Sequence, residues 1–127
     1  MDDVDIDAKE LAQILSLGRV VLGAAAVIAP NRFGRAMTGE NSEGVISTFA
    51  TRGLGARDMA LGLGTLRALD GEGPIRPWLE AQALADASDT VSYLGAFKDM
   101  PPLRRLLGLA TAAGACYLGL RLASELE

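Results

Sequence analysis

The sequence predicts an all-α protein, an antiparallel up-down bundle of four helices seated in a lipid bilayer. Three observations carry that expectation. Four long apolar stretches alternate with short breaker clusters, and none shows the two-residue alternation of a strand. Small residues recur at helix-packing intervals. Charges inside the stretches fall at a shared depth.

The first helix is expected over about 7–29. Asp7 followed by Glu10 reads as a capping box, and Pro30-Asn31 stops the run. A linker from Asn31 to Asn41 holds Gly34 and Gly39. The second helix, about 42–69, begins at Ser42 as N-cap and ends at Asp70-Gly71-Glu72-Gly73-Pro74. The third, about 77–97, opens on Pro77 at a first helical position. The fourth, about 102–124, follows Asp99, Pro101 and Pro102. Short links make sequential helices antiparallel, and residues 1–127 form a single domain.

Composition removes several function classes. The net charge is -4 and the first ten residues are acidic, so nucleic acid is not an expected partner. There is no histidine, which excludes the common zinc and haem sites and imidazole-based triads; no metal or cofactor is expected. The single Cys116 can form no intramolecular disulfide and lies in an apolar run as a packing residue. The acidic N-terminus does not resemble a signal peptide.

Mean hydropathy is only +0.24, and the longest charge-free run, Leu106 to Leu120, has 15 residues, short of the roughly 18 that mark a membrane span. Each central charge of the second helix costs about 2.5–3.5 kcal/mol on insertion, so that helix needs partners. Other features favour lipid. Gly108, Ala112, Ala115 and Gly119 share one helical face, as do Gly55 and Gly62, and small residues let helices approach closely in a bilayer. Trp78 and Tyr117 lie toward one end of the bundle, and Phe33, Phe49 and Phe97 toward the other, as in interfacial belts.

The charges are the informative part. Arg19, Arg52, Arg57, Asp58, Asp86 and Asp89 fall within a slab of about 10 Å when counted inward at 1.5 Å per residue. Three Arg against three Asp make the slab formally neutral. Gln82, Asp86, Asp89 and Tyr93 form one polar stripe on the third helix. Arg52, Arg57 and Asp58 diverge around the second helix, so at least one of them meets a helix other than the third.

The run Arg52-Gly53-Leu54-Gly55-Ala56-Arg57-Asp58-Met59-Ala60-Leu61-Gly62 carries a resemblance. An Arg-x-x-Gly-x-Arg-Asp-x-x-x-Gly pattern in the second of four apolar helices, with acids in the third, resembles an uncharacterised family of small four-helix integral membrane proteins, DoxX-like in layout. The resemblance spans about Leu15 to Leu122. It implies a four-helix membrane fold and a place in a bacterial cell membrane, and brings no activity.

No reaction signature names a substrate. The leading expectation is an integral membrane protein whose Arg/Asp cluster lines a polar pocket, serving as a partner subunit or as the binder of a small lipophilic ligand. An alternative is a membrane isomerase or cyclase that uses Asp86 or Asp89 as acid or base. Another is an ion-pair network that only holds helices in register, and a last one is a water-soluble helical bundle.

Overall fold

A computed structural model describes residues 6–39, 43–95 and 98–126. The described residues are all-α, in five helices rather than four: α1 (Ala8–Ile28), α2 (Pro30–Thr38), α3 (Val45–Leu69), α4 (Arg76–Gly95) and α5 (Pro102–Glu125).

The start of α1 follows the sequence. Asp7 is its N-cap, and the Asp7 carboxylate accepts a 2.8 Å hydrogen bond from the Glu10 amide. The expected linker at Asn31–Asn41 is instead mostly helical. Proline pushes the residue before it out of the α region, and Ala29 sits at φ -130°, ψ 64°, so the chain leaves the axis of α1 there. Pro30 then starts α2 at a position where its missing N–H costs nothing. Gly39, at φ 78°, ends α2 in a left-handed cap, its amide donating to Arg35 O at 2.8 Å. Pro30 and Gly34 face inward while Asn31, Arg32 and Arg35 face out, which makes α2 a short amphipathic helix.

Gly44, not Ser42, caps α3; Ser42 lies outside the described residues, as does Phe97. Gly71 and Gly73, at φ 95° and 120°, make the tight turn into α4 with backbone angles that L side chains rarely adopt. Pro101 caps α5 and Pro102 is its first residue.

The four long helices touch in ring order. Extensive α1–α3 and α4–α5 pairs meet through lighter α3–α4 and α1–α5 contacts, and the backbones of neither diagonal pair approach closely among the described residues. Neighbours run antiparallel: Gly23 meets Gly55 while Ser16 meets Gly62, and Gly119 meets Ala83 while Gly108 meets Tyr93. α2 bridges α1, α3 and α5 at the far end.

Glycine allows the α1–α3 pair to close. A Cβ added at Gly23 would lie 2.5 Å from Gly55 O, and one added at Gly62 would lie 2.6 Å from Ser16 O. The two backbones therefore touch directly, as small-residue interfaces permit. The apolar core sits at the end of the bundle carrying the chain termini, where Ala12, Leu69, Leu79, Leu122 and Ala123 cluster.

Candidate functional site: an inward-facing Arg/Asp network

Moving from the apolar core toward α2, the interior becomes polar in two layers. In the first, the Gln82 amide nitrogen of α4 donates to Thr65 Oγ1 of α3 at 2.6 Å and approaches Ser16 Oγ of α1 at 3.4 Å. Thr65 Oγ1 in turn donates to Leu61 O at 2.9 Å. Ser16, Thr65 and Gln82 are all buried, so this layer ties three helices together with its polar atoms satisfied.

About one turn further along lies the ion network. Arg19 of α1 crosses the bundle to Asp86 of α4 at 2.6 Å, although those helices make no backbone contact. It also reaches Asp58 of α3 at 3.2 Å. Arg57 grips Asp89 of α4 with two bonds, Nη1 to Oδ1 at 3.0 Å and Nη2 to Oδ2 at 2.8 Å, the fork geometry in which guanidinium and carboxylate match best. The Arg57 fork also reaches Asp58 Oδ1 at 3.1 Å, which closes one chain through all five residues. Burial is graded along it. The Asp86 side chain is 7 % exposed and that of Asp89 32 %, so the network is sealed at its Arg19–Asp86 end and reaches the surface at its Arg57–Asp89 end.

Arg19, Arg57, Asp58, Asp86 and Asp89 thus converge as expected, and Asp58 does meet a helix other than α4. Three expectations need correction. Arg52 is not in the network: it is exposed, and its Nε donates at 3.3 Å to Val27 O near the end of α1. Counting its depth from Ser42 misplaced it, because its neighbour on α1 lies almost at the helix terminus. Without Arg52 the cluster holds two guanidiniums and three carboxylates, so it is not formally neutral. The polar stripe of α4 also splits by function. Gln82 belongs to the hydroxyl layer, and the Tyr93 ring packs on Gly108 of α5.

The sequence reading passed over Ser16 and Thr65. Ser16 shares the α1 face of Ala12, Arg19 and Gly23, and that periodicity could have found it. It also missed the work of Arg104 and Arg105. The Arg105 guanidinium donates to Tyr93 O and Leu94 O, both at 2.9 Å, and so caps α4. Arg104 donates to Arg35 O and Ala36 O, tying α5 to the end of α2.

Two surface grooves lie along the outer face of α3, one lined by Ala60, Gly64, Arg67 and Trp78, the other by Phe49, Arg52, Gly53 and Ala56. Neither includes a network residue.

The outward faces are uniform. Every exposed residue of α1 from Leu11 to Ile28 is uncharged, and the same holds for α3 from Gly53 to Leu66, α4 from Ala81 to Gly95 and α5 from Leu106 to Leu120, among the described residues. At 1.5 Å per residue these faces are about 21–28 Å long. Two helices, α1 and α5, are long and apolar enough to cross a membrane, and only 22 % and 17 % of their most apolar windows is buried. Compared with known proteins, the chain matches no family model, no curated protein and no solved structure.

Proposed function

We propose that the chain is a small integral membrane protein whose four long helices stand together in the bilayer and act as a binding subunit, for a partner membrane protein or a small lipophilic ligand. One observation carries the reading: the central charged side chains of α1, α3 and α4 turn inward and pair, α5 has none there, and the exposed residues of all four long helices are uncharged for about 21–28 Å. Water rewards the opposite arrangement. A hydrocarbon layer about 30 Å thick rewards this one. The low burial of α1 and α5 points the same way, since the core helix of a soluble protein hides most of its apolar surface.

Within this reading the ion network is scaffold. Its carboxylates are engaged by Arg19 and Arg57, and neither groove of α3 includes them. Binding then belongs to the outer surface, above all the grooves of α3. The DoxX-like layout suggested by the Arg52–Gly62 run is part of this proposal. Acid–base catalysis by Asp86 or Asp89 has less support, because Asp86 is sealed against Arg19 and both Asp89 oxygens lie on Arg57.

Alkaline carbonate extraction of cells expressing the chain tests the location. The protein should stay with the membrane pellet and need detergent for release. Recovery in the aqueous supernatant would sink the proposal.

A further inference from the structure

The second groove of α3 lies where the apolar face meets the rim carrying α2. Its floor is apolar and low: Gly53 and Ala56 leave a furrow beside Phe49, which is 80 % exposed, and Val45, 86 % exposed. A Cβ added at Gly53 would meet nothing within 4 Å, so the furrow is open to the outside. Its volume is about 630 Å³. At its mouth stands Arg52, whose Nε is held by Val27 O, which leaves both terminal nitrogens without a partner among the described residues. Glu43, the one acid of the lining, faces Arg35 at 3.7 Å.

The surrounding rim has the same sign. Among the described residues it carries Arg32, Arg35, Arg52, Lys98, Arg104 and Arg105 against Glu43 and Asp99. The opposite rim carries, among the described residues, Lys9, Arg67, Arg76 and Arg121 against six acids, Asp7, Glu10, Asp70, Glu72, Glu80 and Glu125. The chain as a whole is acidic, at -4, so this local surplus of cations runs against its composition.

We infer that this furrow is a docking site for an anionic phospholipid, with its phosphate on the Arg52 guanidinium and one acyl chain laid along Phe49, Gly53 and Ala56. Charge complementarity selects the occupant. A partner helix would use the furrow but not the guanidinium at its mouth, and a zwitterionic lipid would gain less from the surplus of cations, because its ammonium group is repelled where its phosphate is attracted. An arginine fork binds a phosphate bidentately, and a snorkelling arginine at a membrane rim reaches the depth of the headgroups. The inference rests on the membrane reading above.

Native mass spectrometry of the full chain released from detergent micelles tests it, with dioleoyl phosphatidylglycerol and dioleoyl phosphatidylcholine offered at equal concentration. The wild-type chain should retain the phosphatidylglycerol at least five-fold more. Arg52→Gln should bring that ratio close to one, and Gly53→Leu, which fills the furrow from a position without internal contacts, should lower retention of both lipids. Inorganic phosphate at the same concentration should not displace the lipid, because it offers no acyl chain. Equal retention of the two lipids, an unchanged ratio in Arg52→Gln, or displacement by inorganic phosphate would each overturn the inference. Failure there by a chain that floats with vesicles leaves the membrane reading intact. A chain that stays in solution without detergent defeats both.

Discussion

Removing Arg19 and removing Asp86 should have unequal effects, and the two together should cost less than Arg19 alone. Arg19→Met leaves Asp86, 7 % exposed, without its guanidinium and leaves one guanidinium in a network of three carboxylates. Breaking a buried pair from one side typically costs about 3–5 kcal/mol, and this variant belongs at that end of the range. Asp86→Leu removes only the 2.6 Å bond, and Arg19 keeps Asp58 at 3.2 Å. The remaining network then holds two guanidiniums and two carboxylates, so the loss is that of one charge-assisted hydrogen bond, about 1.5–3 kcal/mol. In Arg19→Met/Asp86→Leu the apolar pair fills the vacated space, and Arg57 still holds Asp58 and Asp89. Swapping both partners of a buried pair for apolar residues is often close to neutral, so the double variant should be more stable than Arg19→Met by about 2 kcal/mol or more. Titration of the detergent-solubilised protein with sodium dodecyl sulfate, followed by helical circular dichroism, measures all four forms. Additive losses would refute the reasoning, and so would single losses below about 0.5 kcal/mol, the size expected of solvated surface charges.

Two further outcomes follow from the packing. Gly23→Ala places a methyl 2.5 Å from Gly55 O and 2.9 Å from the Met59 amide nitrogen, so α1 and α3 must separate. In the same titration it should lose about 1–3 kcal/mol, whereas Gly18→Ala, with nothing within 4 Å, should gain up to about 1 kcal/mol. Equal behaviour of the two variants would show that the helices do not touch there. Gln82→Leu should lose about 1–3 kcal/mol by stripping the donor from Thr65 Oγ1, and Thr65→Val should recover part of that loss when the two are combined; no recovery would mean that the amide and hydroxyl are not paired.

The long helices were legible because their signals are local: the Asp7 cap, the breaker cluster at 70–74, and Pro102 at the start of α5. α2 was not, because Gly34 and Gly39 look like loop residues until Gly34 is seen buried and Gly39 is seen ending a helix. The five true members of the network were readable from depth, since antiparallel helices of similar length bring residues equally far from their ends to one level. That arithmetic failed for Arg52, where the level depends on which residue of α1 lies opposite, and only the Gly23–Gly55 contact fixes that. The shape of the space around the network was not legible either. Helical spacing tells which way a charge points, but not how completely its partners fill the space between.

A network sealed at its Arg19–Asp86 end, flanked by two helix pairs with apolar outer faces, describes a scaffold that pairs its charges and turns them away from most of its surface. Neither α3 nor α4 passes as a membrane span by length and composition, so the account depends on those helices being carried by inward pairing. The most direct measurement addresses all four faces together. In a Cys116→Ala background, single variants Val21→Cys, Ala60→Cys, Leu84→Cys and Ala113→Cys, each at an exposed mid-helix position, carry a nitroxide in lipid vesicles. Oxygen, which concentrates in hydrocarbon, should relax the label more than a water-soluble nickel chelate at every site. Stronger relaxation by the chelate at the α3 and α4 positions would contradict the account.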